Sequence, residues 1–139
     1  MNKPQSEIVV ELNRLMAEEL EAFLRYFQMS YRLRGVDRLA AEKLFAEGTR
    51  ETLEHAEAIA KQIRALGHIP QLKIEMELRA GPTTLQDALA EMLEVERQAL
   101  EAYKEVLPRV QGDTMLEDFI RKQISVETEH VQEIATLLE

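Results

Sequence analysis

Glu19 and Tyr26, seven residues apart, stand where a helical apolar stripe would hold leucine or isoleucine, and Glu96 and Tyr103 repeat the pair in the second half of the chain. Each pair is followed by a histidine on a later helical stretch, His55 in the first half and the histidine of Glu127-x-x-His130 in the second. A chain that writes the same helical hairpin twice is constrained to a bundle in which these polar positions share one interior. Carboxylates, imidazoles and phenols buried together need a compensating partner, and a pair of divalent metal ions is the most economical one.

The composition agrees with an all-α protein: 31% of residues are charged, 45% are apolar, glycine and proline are scarce, and tryptophan is absent. The length of 139 residues is enough for one core and short for two, so residues 1–139 are expected to form a single domain. A net charge of −9 without any cluster of Lys and Arg argues against a nucleic-acid or anionic-membrane partner. The absence of cysteine excludes disulfides, thiolate ligands and cysteine nucleophiles. No apolar segment follows Lys3 and no apolar run reaches the length of a membrane span, so a cytoplasmic location is expected.

Four helices are predicted. Ser6 is expected to cap the first, which runs to about Arg34 before Gly35, and Asp37 the second, which reaches about Leu66 before Gly67. The stretch from Gly67 to Pro82, containing Pro70 and Gly81-Pro82, is too long for a tight turn and reads as a crossover. Thr84 with Asp87 and Thr114 with Glu117 resemble capping boxes opening the third and fourth helices, the third ending between Pro108 and Gly112. Short links make each half an antiparallel hairpin, and the crossover joins two hairpins into an antiparallel four-helix bundle.

On the apolar seams, Glu19 and Tyr26 interrupt Ile8, Leu12, Leu15, Ala22, Met29 and Leu33; Glu96 and Tyr103 interrupt Leu85, Leu89, Met92, Ala99 and Val106. In the fourth helix Gln123, Glu127 and His130 lie among Leu116, Ile120, Ile134 and Leu137. Glu18 and Glu94 fall off the seams and read as surface charges, and His68 as a loop histidine. Glu19 and Glu51 are equally far from Gly35, and Glu96 and Glu127 are each about fifteen residues, roughly 23 Å of helix, from Gly112. Four carboxylates can thus share one layer, with His55 and His130 about one turn further from the hairpin turns. A glutamate and a histidine at i and i+3 share a helix face and can reach one ion. Oxygen ligands with one imidazole per metal suit iron or manganese, with zinc possible. The bland alternative is a buried Glu–His–Tyr network, which leaves several desolvated carboxylates with few cationic partners.

At these residues the chain resembles the ferritin-like di-iron carboxylate superfamily, and bacterioferritin most closely within it. The likeness runs through Leu12-Asn13-Arg14-Leu15, Glu19-Leu20, Tyr26-Phe27, His55-Ala56-Glu57 and Leu66-Gly67-His68-Ile69-Pro70-Gln71-Leu72. The resemblance implies two irons, with Glu19 and Glu96 as terminal ligands, Glu127 as a bridge, His55 and His130 as one imidazole each, and Tyr26 and Tyr103 as phenols beside the metals. Three departures stand out. Thr52 occupies the position, three before His55, where the family has glutamate; Glu51, rotated about 40° from His55 against about 60° for Thr52, is the expected substitute ligand, and Glu54, about 100° away, is not. Leu53 replaces a haem-binding methionine, so no haem is expected. The family's short fifth helix is not expected after Leu138.

The resemblance implies oxidation of Fe(II) by dioxygen or hydrogen peroxide, in iron homeostasis or peroxide defence. A non-catalytic helical interaction module with a degenerate site and a di-metal oxidase acting on an organic substrate are the alternatives. Val9, Met16, Phe23 and Phe45 lie outside the central seam and are expected to bury in a two-fold interface, making a homodimer the expected assembly.

Overall fold

The computed structural model describes residues 5–139. Its helices are α1 (Gln5–Arg32), α2 (Gly35–Ala65), α3 (Leu85–Val106) and α4 (Thr114–Leu137), with a 3-10 turn over Leu107–Val110 after α3. No strand occurs among the described residues. None of the described helices is long and apolar enough to cross a membrane.

α1 and α2 form the first hairpin, α3 and α4 the second, and hydrogen bonds to α1 define the path between them. Gln71 N–H donates to Asn13 Oδ1 at 3.0 Å, the Gln28 side chain donates to the Arg79 carbonyl at 2.8 Å, and Thr83 N–H donates to the Arg32 carbonyl at 3.1 Å. Successive points on the crossover meet successive points on α1, so the segment runs the length of the bundle in the direction of α1. It delivers α3 parallel to α2 and antiparallel to α1, the arrangement of a four-helix bundle with one long connection.

Helix starts differ from the sequence reading in detail. Thr84 caps α3 as expected, its hydroxyl accepting from Asp87 N–H at 3.1 Å. The cap of α4 is Asp113, one residue before Thr114; its carboxylate accepts from Leu116 N–H, while Glu117 reaches back to Gly112 N–H at 2.6 Å. Ser6 lies inside α1, which already begins at Gln5. Asp37 is not the cap of α2: that helix starts at Gly35, whose φ of +59° lets the chain reverse after α1, and Asp37 instead accepts from Leu85 N–H at 3.0 Å. Of the four expected caps, Thr84 holds, that of α4 shifts by one residue to Asp113, Asp37 ties two helices together and Ser6 lies within its helix.

The polar layer divides the core in two. On one side Ile8, Leu12, Leu15, Ile59, Ile63, Val106 and Ile120 pack together, and on the other Met29, Leu33, Phe45, Met92 and Ile134. Val9, Met16 and Phe45, expected on an outer flank, are 6%, 2% and 0% exposed and belong to this internal core. The apolar surface of a 28- or 31-residue helix in a small bundle is wide enough to meet two neighbours, and these residues face them. Only Phe23 of the four remains partly open.

Candidate metal centre

Each seam delivers its polar residue to the middle of the bundle. Glu19, Glu96 and Glu127 are buried to 1–2% exposure, and two groups of donors close on points between them: Glu19, His55 and Glu127 form one, and Glu96, Glu127 and His130 the other. Glu127 belongs to both. The donor atoms within each group all lie within 4.8 Å of one another. The imidazoles of His55 and His130 are stacked, with centroids 6.0 Å apart and planes 16° from parallel. The repeat seen in the sequence thus meets in one centre, with each hairpin supplying one imidazole.

Distances define the asymmetry. His55 Nδ1 is 2.8 Å from Glu19 Oε2 and 3.4 Å from Glu127 Oε1. His130 Nδ1 is 3.8 Å from both Glu96 Oε2 and Glu127 Oε2. Tyr26 donates to Glu96 Oε1 at 2.6 Å, crossing from α1 to α3, whereas the Tyr103 hydroxyl is buried without a hydrogen-bond partner. Both oxygens of Glu127 are also buried without a hydrogen bond, each facing one imidazole.

Protonation follows from this crowding. Burial, opposed by the His55 hydrogen bond, raises Glu19 to a pKa of about 8. Burial with the neighbouring Glu127 raises Glu96 to about 7. Burial alone would also protonate Glu127, but Glu96, His130 and His55 all face it and hold it below the ordinary carboxylate range. For the histidines burial works against charge, yet the surrounding carboxylates raise His55 to about 10 and His130 to about 11. Burial and the nearby carboxylates push both tyrosines well above 10. Without a metal, protons carry the positive charge that this cluster requires.

Thr52 is buried, and its hydroxyl turns back to its own helix, donating to the carbonyl of Gly48 at 2.8 Å with Thr49 O at 3.1 Å. Glu51 does reach the cluster, its Oε2 lying 2.9 Å from His130, but from the Nε2 side of the ring. Its side chain is 34% exposed, and it does not join either donor group. Glu54 is exposed and Glu94 likewise, as expected; Glu18 is only partly open, and burial raises its pKa. His68 stays in the crossover.

Sequence reasoning missed Gly48. It sits inside α2 against the Tyr26 ring, where an added Cβ would lie 2.5 Å from ring carbons Cδ1 and Cε1. The missing side chain lets the phenol pass between α1 and α2 to Glu96. A lone glycine within a helical pattern was the available signal.

The sequence model of the ferritin-like domain family matches residues 9–139. The chain belongs to the ferritin-like domain family. A crystal structure of ferritin-like, diiron-carboxylate proteins from Bacillus anthracis is similar over 100% of both chains, with a TM-score of 0.87 and 22% identity. A second similar structure is the bacterioferritin-related dodecameric thioferritin of Bacteroides fragilis, with a TM-score of 0.83, 24% identity, and 97% of this chain covering 86% of that one. At these identities the likeness of structures speaks to fold. No curated protein matches the chain.

Proposed function

We propose that this ferritin-like protein binds two iron ions between its hairpins and oxidises Fe(II) with dioxygen or hydrogen peroxide. The observation that carries this reading is Glu127: a buried carboxylate shared by two donor groups, with His55 facing one oxygen at 3.4 Å and His130 the other at 3.8 Å, and neither contact a hydrogen bond. Buried carboxylates held only by such loose contacts are costly, and two cations held by the two donor groups would compensate Glu127 from both sides. Glu19 with His55 and Glu96 with His130 would hold the two ions, manganese or zinc being possible substitutes for iron.

When bound, the pair supplies one-electron redox chemistry at two adjacent ions, so two Fe(II) together provide the electrons that, with two protons, take peroxide to water. The chain's own residues set the geometry. Tyr26 holds the Glu96 carboxylate by a 2.6 Å hydrogen bond and so fixes which oxygen faces the interior. The Tyr103 hydroxyl is buried close to Glu19, Glu127 and Glu96. The two apolar half-cores keep bulk water from the layer on both sides. Protons leaving Glu19, Glu96, His55 and His130 make room for the metal charge.

The buried, back-bonded Thr52 favours the non-catalytic alternative, because it removes an oxygen ligand that the bacterioferritin resemblance implies. Fe(II) oxidation decides between them. Wild-type protein should accelerate it in air or peroxide well beyond the rate of a Glu96→Ala, Glu127→Ala variant; equal rates would refute the ferroxidase assignment.

A further inference from the structure

We propose that Glu51 is a positioning residue for His130, holding the imidazole from outside, and is not a metal ligand. The inference rests on the two-ion reading above and concerns which atoms complete it.

The two nitrogens of an imidazole point to opposite sides of the ring, so a ligand serving one cannot share an ion bound at the other. The His130 nitrogen nearest Glu96 and Glu127 is Nδ1, at 3.8 Å from each, and the one nearest Glu51 is Nε2, at 2.9 Å. All three are ion-pair contacts, and a modest rotation of the Glu51 carboxylate would turn the last into a hydrogen bond from Nε2–H. His55 likewise presents Nδ1 to its carboxylates. An ion held by Glu96, Glu127 and His130 Nδ1 therefore lies across the ring from Glu51.

Glu51 also differs in kind from the three interior glutamates. Its side chain is 34% exposed where theirs are 1–3%, and it lines a small cavity of about 40 Å³ with Tyr26, Glu47, Gly48, His130 and Glu133. Its second oxygen faces the Arg50 guanidinium at 3.9 Å. Both oxygens thus have partners that need no metal. A carboxylate accepting from the far N–H of a ligating histidine selects the tautomer, orients the ring and raises the basicity of the ligating nitrogen. Glu51 comes from α2 and His130 from α4, so this contact also ties the two hairpins together.

His55 has no counterpart on its outer nitrogen among the described hydrogen bonds and ion pairs. The two halves of the centre then differ through the support of their imidazoles, with the His130 half the better held.

The test is metal-free protein titrated with Co(II), followed by absorbance, together with proton NMR of the Zn(II)-loaded form. Wild type should take up two Co(II) per chain. Glu51→Ala should keep two but bind the weakened one about 10- to 100-fold less tightly. Glu51→Gln, whose amide oxygen can accept from Nε2–H, should stay close to wild type. The Zn(II)-loaded protein should show a slowly exchanging His130 Nε2 proton, retained in Glu51→Gln and lost in Glu51→Ala. A Glu51→Gln variant as impaired as Glu51→Ala, or a wild type without that proton, would overturn the positioning role while leaving the two-ion reading intact. A wild type that binds no Co(II) and no Zn(II) would overturn both.

Discussion

Three buried carboxylates and two half-buried imidazoles within one layer make the metal-free protein a proton store. Glu19 and Glu96, raised to about 8 and about 7 from 4.5, keep protons in the folded state that the unfolded chain has released. The folded state binds more protons between about pH 4.5 and 8, so their contribution to stability falls as pH rises through that window. His55 and His130, raised to about 10 and about 11 from 6.5, stabilise fully below 6.5 and lose their contribution as pH rises through those values. Glu127, held low, contributes above 4.5 and loses that contribution only as pH falls into the acid range. Metal-free protein should accordingly melt at a higher temperature near pH 5.5 than near pH 8.5. Fe(II) or Zn(II) should abolish or reverse that difference while releasing protons, measurable in weakly buffered solution; a metal-free melting temperature rising over the same range would contradict the protonation pattern. Thr52 gives a second residue-scale prediction. Thr52→Glu restores a carboxylate three residues before His55 and should tighten Zn(II) binding, yet lower the melting temperature of the metal-free form, because it adds a buried carboxylate where a back-bonded hydroxyl now sits. The positions of Glu19, Glu96, Glu127 and His130 were legible because each interrupts an apolar seam, and His55 was legible because the repeat asks for a histidine in each half. Which nitrogen of His130 meets Glu51 was not legible: spacing places a side chain on a helix face but not the orientation of its ring.

Helix number, order and hairpin pairing followed from turn residues and from the long crossover, since loop length alone limits which helices can be neighbours. Cap identities were less secure, because Asp, Ser and Thr near a helix start can serve the backbone of another element equally well, as Asp37 does for Leu85. The flank expected of Val9, Met16 and Phe45 also failed at this scale: a two-residue-wide seam describes contact with one neighbour, and these helices have more than one. The approach of α1 to α2 turns on Gly48. Gly48→Ala would gain about 1 kcal/mol in helix propensity, but the new methyl would overlap the Tyr26 ring, with no room at 2.5 Å. The overlap should dominate, giving a net loss of about 1–3 kcal/mol in urea denaturation and a displaced Tyr26–Glu96 hydrogen bond. A variant more stable than wild type would show that the ring is not confined there.

For the whole molecule, the outer surface is acidic and carries exposed apolar residues on α1 and on the crossover lying against it, among them Val10, Phe27, Tyr31, Ile69 and Leu72. If the chain is the homodimer expected from its sequence, such exposed residues, and not the buried Val9, Met16 and Phe45, are the ones left to form its interface. Light scattering should give a mass near twice 16.0 kDa, and Phe27→Lys with Tyr31→Lys should reduce it to that of one chain; a particle of several hundred kilodaltons would instead indicate a cage. Assembly leaves the central claim untouched, because both donor groups form within one chain. That claim is tested most directly by anomalous diffraction at the iron edge from crystals grown anaerobically with Fe(II). The account predicts two iron peaks flanking Glu127, one beside Glu19 and His55 and the other beside Glu96 and His130. Density at neither position in protein saturated with Fe(II) would contradict it.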